Sequence, residues 1–330
     1  MKRMFLNLFI LFLLLNWSEG NSVSRLKEMV RMDIIDKSLL YLPKNNEVNI
    51  LQMVNQMIKA KEEYSFNEAE SAYLLFRWIS ENIEISFNEE TTDDPISAYN
   101  LGKGTSKAIS SLFNNICNFL KVVSGSISGY LKWPSFWDDK LKSYGDYTWN
   151  YIEINGEYYL LDVTLTSRIK FNPGIDYIYI YFGTDPEIFI RSHFPKDNKW
   201  QLLPEPYTLE KFESMALLTP FFYLLGFKTI SPDTNNLIGS GKIILTSDIL
   251  IAKEDISDMC STVVGGIANA YYGSEKSLKN EVEYDIDEEK CLIYSINSAI
   301  TFPNNYKPFV TIAYFNTNYT ENSSLNLERM

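Results

Sequence analysis

The sequence contains very little histidine and cysteine. Among its 330 residues there is one histidine, His193, and there are three cysteines, none of them in a Cys-x-x-Cys pair. Because zinc is held mainly by several His and Cys side chains, we expect no such metal site, and no cofactor is predicted. Basic residues are also scarce, with 30 Lys and Arg against 42 Asp and Glu and a net charge of -12. A nucleic acid is therefore not an expected partner, since phosphate binding requires clustered Lys and Arg.

Long apolar runs are nearly absent, except at the start of the chain. Residues 5–15 are almost entirely apolar and follow a positively charged start, and the small residues Ser18 and Gly20 come next. This pattern predicts a signal peptide, residues 1–20, which is cleaved after Gly20 and directs secretion. An uncleaved membrane anchor is the alternative, although a spanning helix needs about 20 apolar residues. No membrane association beyond the signal peptide is predicted.

Secretion changes the interpretation of the cysteines, because it permits disulfides. An odd number allows at most one internal disulfide, and Cys260 and Cys291 are the favoured pair because they lie in the same late segment. Cys117 belongs to a helical apolar pattern and is predicted to pack in the core. Asn318 and Asn322 each begin an N-glycosylation sequon in a polar tail, and the sequence leaves open whether either is modified.

Helical periodicity dominates the first part of the chain. Residues 21–64 form an amphipathic pattern that Pro43 divides into two helices, which predicts a helical N-terminal extension. Asn67, followed by acidic residues, is a predicted N-cap for the next helix.

A glycine-bearing loop precedes a further helix. Residues 101–108 read Leu-Gly-Lys-Gly-Thr-Ser-Lys-Ala, and the helical pattern continues to about Leu120. A phosphate site at the helix N-terminus is one interpretation, but the loop does not match the P-loop pattern. The alternative places Ser106 at the N-terminus of a core helix, where a thiolate nucleophile would be stabilised.

The most informative local pattern is an Asn155-Gly156 pair between two runs rich in Tyr, Ile and Val. This pair predicts a hairpin with a two-residue type I′ turn. Counting outward from the turn places Trp149 opposite Asp162, on the same face of the sheet. Tyr147 also lies on that face as the diagonal neighbour of Asp162, at about 7–8 Å. An acid and a strand-borne partner arranged in this way are typical of a catalytic pair.

Several of these segments occur together, in the same order and spacing, in a known superfamily. Residues 65–205 resemble the transglutaminase-like superfamily, and within it the kyphoscoliosis-peptidase type. The matching motifs are residues 75–83, 102–106, 147–150, 160–164, 181–187 and 192–203. The resemblance implies an α+β fold with a papain-like core, in which a helix packs on an antiparallel sheet. Short β-prone runs after residue 206 predict a mainly β C-terminal domain over 206–330, including the polar tail.

The resemblance also implies the positions of a Cys-His-Asp triad. Ser106 occupies the position of the cysteine and Tyr147 that of the histidine, and only Asp162 matches. A serine hydroxyl depends on a neighbouring base, and a tyrosine with a pKa of about 10 does not serve as one at neutral pH. His193 lies in a Ser-His-Phe-Pro turn that the family carries outside its triad, so a structural or surface position is expected. Asp162 is expected to be paired with the Tyr147 hydroxyl or with a backbone N–H.

These observations predict a secreted, catalytically inactive transglutaminase-like protein that acts as a protein-binding, peptide-binding or scaffold module. One alternative is a residual peptidase or acyl transferase with Ser106 as the nucleophile. A purely structural extracellular protein is another alternative. Trp133, Trp137 and Trp149 are candidates for the rim of a binding cleft, although core packing is an equally good interpretation for the first two. No pattern in the sequence specifies an oligomeric state.

Overall fold

A computed structural model describes residues 25–45, 47–86, 92–132, 144–166, 181–216, 218, 223, 227–231, 233, 240–247, 282–287 and 292–301. Several sequence predictions lie outside these residues: the signal peptide with its cleavage site at Gly20, Trp133, Trp137, Cys260, Cys291, Asn318 and Asn322. In the part of the chain that the structure describes, no helix has both the length and the apolar character needed to cross a membrane.

Three helices form the N-terminal extension: α1 (Arg25–Glu28), α2 (Met32–Leu39) and α3 (Ile50–Tyr64). Their apolar faces are buried in the same hydrophobic cluster as the helix that follows, α4 (Glu68–Asn82). Arg31 adds an ion pair to Glu70 of α4, whose side chain is almost completely buried. The extension is therefore attached to the rest of the molecule by both apolar packing and a charge pair.

Helix α4 begins where its sequence predicts. The Asn67 side chain accepts a hydrogen bond from Glu70 N at 2.8 Å, and the Glu70 carboxylate accepts one from Asn67 N at 3.0 Å. This reciprocal capping box satisfies two backbone donors that the helix itself leaves unpaired. Glu70 thus closes the first turn of α4 and binds Arg31 at the same time.

The glycine-bearing loop forms a tight connection between two helices. Gly102 ends α5 (Pro95–Leu101) with φ of 65°, and β2 (Lys103–Gly104) then pairs in parallel with β1 (Glu84–Ile85). A Cβ at Gly104 would lie 2.7 Å from the Ala98 Cβ, so only glycine allows α5 to approach this closely. The glycines therefore serve helix packing, and the next helix, α6 (Ser106–Leu120), begins directly after them.

A five-stranded antiparallel sheet forms the centre of the molecule, in the order β6-β5-β4-β3-β7. Its strands are β3 (Val123–Leu131), β4 (Tyr144–Ile154), β5 (Glu157–Leu161), β6 (Phe182–Thr184) and β7 (His193–Pro195). Short helices α7 (Val163–Thr166) and α8 (Pro186–Phe189) and a 3-10 helix (Asn198–Gln201) lie in the connections. The mixture of helices and antiparallel strands confirms the α+β class and is compatible with a transglutaminase-like core.

The β4–β5 hairpin has the predicted turn and register. Asn155 and Gly156 have φ of 55° and 81°, as a type I′ turn requires. Ile154 pairs with Glu157, and the ladder continues to Asn150 and Leu161. Asp162 is the next residue, directly beyond the end of β5.

The two faces of the sheet are covered by different elements. Helix α6 covers one face, where Asn150 donates to the carbonyl oxygen of Ser110 at 3.0 Å. The opposite face carries Tyr147 and Trp149, and Phe189 of α8 packs against the Trp149 ring. Side chains at alternating positions of β4 therefore contact two separate layers.

The described residues after 206 begin with α9 (Leu209–Ser214), which packs on the central sheet. Phe212 and Met215 are buried against Ile190 and Phe194. Lys132, at the end of β3, donates from Nζ to the carbonyl oxygens of Phe212 and Met215. The remaining described strands form an antiparallel sheet in the order β10-β11-β9-β8: β8 (Phe227–Ser231), β9 (Ser240–Ser247), β10 (Val282–Asp287) and β11 (Leu292–Thr301). The boundary between domains at residues 205 and 206 stays a prediction.

Candidate functional site

Ser106 lies where the N-terminus of α6 meets β4. It is the first residue of the helix, with Thr105 as the N-cap, and it is 8% exposed. Its Oγ accepts a hydrogen bond from Thr148 N at 3.2 Å. Thr148 directly follows Tyr147 on β4. The structure therefore places Ser106 and Tyr147, at the Cys and His positions that the resemblance indicates, close to each other.

Tyr147 and Asp162 form a buried hydrogen-bonded pair. The Tyr147 hydroxyl donates to Asp162 Oδ2 at 2.9 Å. The other carboxylate oxygen, Oδ1, accepts from Thr164 N at 2.8 Å and from Leu165 N at 2.9 Å. The sequence prediction for Asp162 is confirmed on both counts, because a phenol and backbone N–H groups all bind this carboxylate. Asp162 also caps the first turn of α7.

His193 joins the same carboxylate, which the sequence did not indicate. Its Nε2 lies 2.8 Å from Asp162 Oδ2, and its Nδ1 lies 2.8 Å from the Ser192 hydroxyl oxygen. The side chains of His193 and Asp162 are both fully buried, so the structure places His193 in the interior and not at the surface. Both ring nitrogens are engaged in hydrogen bonds, one with Asp162 and one with Ser192.

No local sequence pattern reveals this contact, because it depends on how a distant strand is placed. Asp162 follows β5, whereas His193 begins β7, which pairs with β3 on the far side of the sheet. The two residues are 31 positions apart. The one available signal is compositional, since a sole histidine on an apolar strand is a candidate for a buried partner of an acid.

An aromatic shell surrounds the imidazole. The Phe189 ring is stacked on it with centroids 4.1 Å apart, and the rings of Trp149 and Tyr181 pack edge-on at 5.1 and 5.7 Å. Trp149 is 0% exposed, which overturns its prediction as part of a cleft rim. The physical reason is that the side chains of Phe189 and His193 pack against its ring on the face of β4 from which it projects.

The environment suppresses ionisation of the tyrosines. Burial, reinforced by the negative charge of Asp162, holds the pKa of Tyr147 well above its usual value of 10.0. The same two causes, in the same order, raise the pKa of Tyr181. Both side chains therefore remain phenols at neutral pH, and neither acts as a general base there.

The described residues offer Ser106 no activated proton acceptor. Within them, no hydrogen bond joins the Ser106 hydroxyl to His193 or to Tyr147. Cys117 is buried on the same helix, and burial raises the pKa of its thiol to about 12. At eleven residues from Ser106, it lies about 16 Å further along α6. Its core position confirms the sequence prediction and places its thiol away from Ser106.

No family model matches the chain. Among individual proteins, the kyphoscoliosis peptidase of Mus musculus is 24% identical over 202 residues, which are 58% of this chain and 30% of that protein. Hillarin of Drosophila melanogaster is 24% identical over 272 residues, 76% of this chain and 32% of its own length. The Lim and transglutaminase domain protein ltd-1 of Caenorhabditis elegans is 24% identical over 207 residues, 57% of this chain and 28% of its length. The chain thus spans about a third of the length of these relatives.

Proposed function

We propose that this chain, a relative of the transglutaminase-like proteins of the kyphoscoliosis-peptidase type, is a secreted and catalytically inactive module that binds a protein or peptide. The observation that carries the proposal is that the only histidine is hydrogen-bonded to Asp162 and Ser192 and, among the described residues, not to Ser106. Secretion rests on the signal-peptide pattern of residues 1–20.

Acyl transfer requires a nucleophile together with a base that accepts its proton. The Ser106 hydroxyl accepts a hydrogen bond from a backbone N–H, and the Tyr147 hydroxyl stays protonated at neutral pH. The His193 ring is hydrogen-bonded to Asp162 and Ser192. Removal of one triad member costs about 10⁴–10⁶ in rate in a serine protease. With two of the three positions replaced, we propose that turnover is lost while the fold that presents the site is kept.

A polypeptide is the partner that these arguments favour. The relative from Mus musculus carries the name peptidase, which denotes action on peptide bonds. From that name we extend to this chain only the class of partner, a polypeptide. The partner would bind beside Ser106 or on the C-terminal β domain. Trp133 and Trp137 remain predicted rim residues of such a cleft.

The proposal is tested with the full chain in two assays, incorporation of a labelled amine and hydrolysis of a mixed peptide library. We expect no turnover above that of the Ser106→Ala variant in either assay. Turnover that disappears in Ser106→Ala would instead establish the residual peptidase or acyl transferase. A purely structural role would be supported if the secreted protein captured no polypeptide from its native medium and both assays were negative.

A further inference from the structure

One edge of strand β3 is paired with a neighbouring strand over only part of its length. On one side β4 pairs with it from Val123, opposite Glu153, to Leu131, opposite Tyr144. On the other side, β7 pairs only with residues 129–131. Beyond that short ladder, Lys196 N donates to the Ser128 carbonyl oxygen at 2.9 Å, and the chain then turns into the 3-10 helix. The edge of residues 123–128 has no neighbouring strand among the described residues.

The direction of the unpaired backbone groups follows from the existing bonds. Lys132 N donates to the Ser192 carbonyl oxygen, and the Ser128 carbonyl oxygen accepts from Lys196 N, so even-numbered residues of β3 face the β7 side. In an antiparallel ladder this direction alternates from residue to residue. The N–H and C=O groups of Ser124 and Ser126 therefore point toward the open edge, as does the N–H of Ser128. Ser126 and Ser128 are exposed.

Residues 123–128 also lack the features that usually protect such an edge. Their sequence, Val-Ser-Gly-Ser-Ile-Ser, contains no proline and no charged residue. Natural sheets commonly place Pro, Lys or a bulge at free edges to prevent pairing with other chains. Here the bulge and a proline occur only further along, near Gly129 and in β7 at Pro195.

We propose that the open edge of β3 binds an extended segment of a partner protein, which adds to the sheet as a strand running in the direction of β7. Main-chain hydrogen bonds supply the affinity in this mode of recognition, and alternating side chains supply the specificity. The added strand continues the row that β7 begins. This site uses neither Ser106 nor Tyr147, and it stands whether or not the chain has catalytic activity.

The residues on the two faces of the sheet beside this edge indicate which side chains of a partner strand would fit there. Gly125 pairs with Tyr151, whose ring lies across the glycine, so that a Cβ there would be 2.5 Å from it. Trp200 is stacked on that ring with centroids 4.2 Å apart. Because opposed residues share a face, a partner residue opposite Gly125 places its side chain beside this aromatic stack. An apolar or aromatic residue suits that position.

Residues of the partner on either side of that position face helix α6. Ser126 Oγ lies there within hydrogen-bond distance of Ser110 Oγ and accepts from Asn114 Nδ2. Small polar side chains suit these two positions, since they meet hydroxyl and amide groups. The partner segment is therefore an alternating polar, apolar, polar strand.

A synthetic peptide tests this inference directly. The probe is acetylated Ser-Val-Thr-Phe-Thr-Val-Ser between two terminal lysines, with the phenylalanine intended to lie opposite Gly125. Its matched control carries N-methyl groups on both threonines, which removes the N–H groups that would donate to Ser124 and Ser126. Amide hydrogen exchange of the full chain is followed residue by residue.

We expect the unmodified peptide to slow exchange at Ser124 and Ser126 by about tenfold or more, whereas the amides of Gly125 and Ile127, which face β4, do not change. The N-methylated peptide should have no effect. Equal effects of the two peptides, or no effect of either, would overturn the proposal. Protection of Ser124 and Ser126 that grows with protein concentration in the absence of peptide would also overturn it, because a second copy would then occupy the edge.

A pair of variants provides an independent check. Ser126→Pro removes the outward N–H without removing a bond to β4, and we expect it to weaken peptide binding by about tenfold or more. Ser126→Ala loses the same hydroxyl contacts and keeps the N–H, so it should weaken binding much less than Ser126→Pro does. Similar binding by both variants would contradict the proposal. If Ser126→Pro does not fold, the comparison of the two peptides decides alone.

Discussion

At the scale of single residues, the side chain of His193 is central to the arrangement of the candidate site. It shares Asp162 Oδ2 with the Tyr147 hydroxyl, while Oδ1 accepts two backbone N–H groups. The carboxylate is thus surrounded by donors on all sides although it is fully buried. Such complete pairing is what makes a buried acid tolerable, and it gives Asp162 a structural role that does not depend on turnover.

Replacement of the histidine tests that role. We expect His193→Phe to lower the free energy of unfolding by about 1–3 kcal/mol, because a donor to a buried carboxylate is lost. Ser192→Ala, which removes the hydroxyl that contacts Nδ1 and Tyr181 but keeps the bond to Asp162, should cost less, about 1 kcal/mol. Chemical denaturation of both variants measures the difference. Unchanged stability of His193→Phe would mean that Tyr147 and the backbone satisfy Asp162 without the imidazole.

Lys132 is a second residue whose environment has a measurable consequence. Desolvation by burial, with a further contribution from Arg191, lowers the pKa of its ammonium from 10.5 to about 7, against the opposing effect of Asp233 and Glu213. The unfolded chain therefore binds more protons than the folded chain between these two values. Stability consequently rises with pH from about 7 to about 10.5.

We expect this rise to be smaller in Lys132→Met, which keeps the apolar stem and removes the titrating group. Across the window, the free energy of unfolding should increase by at least about 1 kcal/mol more in the unmodified chain than in the variant. Denaturation with urea at a series of pH values measures both slopes. Lys121→Met, at an exposed position, is the control and should keep the slope of the unmodified chain. If the free energy of unfolding changed with pH in the same way in Lys132→Met and in the unmodified chain, the lowered pKa of Lys132 would be contradicted.

Among the elements, the β4–β5 hairpin is the one whose conformation the sequence specifies most closely. Gly156 has φ of 81° and no atom lies within 4 Å of a Cβ built on it, so its requirement for glycine is purely conformational. We expect Gly156→Ala to destabilise the fold by about 1 kcal/mol or more, measured by thermal unfolding. Asn155→Gly, at φ of 55°, should be close to neutral. A neutral Gly156→Ala would show that the turn adopts another geometry in solution.

The elements that were predictable from sequence are those governed by neighbours in the chain. The N-cap at Asn67 and the turn at Asn155-Gly156 follow from short patterns, and both have the predicted geometry. The burial of Trp149 was not predictable, because α8 and β7 reach it from 40 or more residues further along. The link between His193 and Asp162 was hidden for the same reason, since strand order depends on packing across the whole sheet.

At the scale of the whole molecule, the central sheet and α6 preserve the arrangement of a catalytic frame. Ser106 meets β4 beside Tyr147, and Tyr147 reaches Asp162. A double variant, Ser106→Cys with Tyr147→His, places a thiol and an imidazole in that frame. We expect partial recovery of amine incorporation at most, because His193 already occupies the carboxylate and the surroundings are not tuned for turnover.

Adding His193→Phe to the double variant should raise the rate further, since the new imidazole then no longer shares Asp162 with His193. The assay compares initial rates of the double and triple variants with that of the unmodified chain. A triple variant slower than the double variant, at equal folded fraction, would show that His193 supports the frame instead of competing for Asp162.

The pair formed by Arg31 and Glu70 has a consequence for the order in which the molecule is made. The two residues are 39 positions apart, and the buried apolar residues of α1 and α2 belong to the same cluster as those of α4. At a synthesis rate of 5–20 residues per second, about 2–8 s pass before Glu70 follows Arg31 out of the ribosome. During that interval Leu26 and Ile35 lack the part of their hydrophobic cluster that α4 supplies. The N-terminal extension therefore reaches its final packing only after α4 has been synthesised.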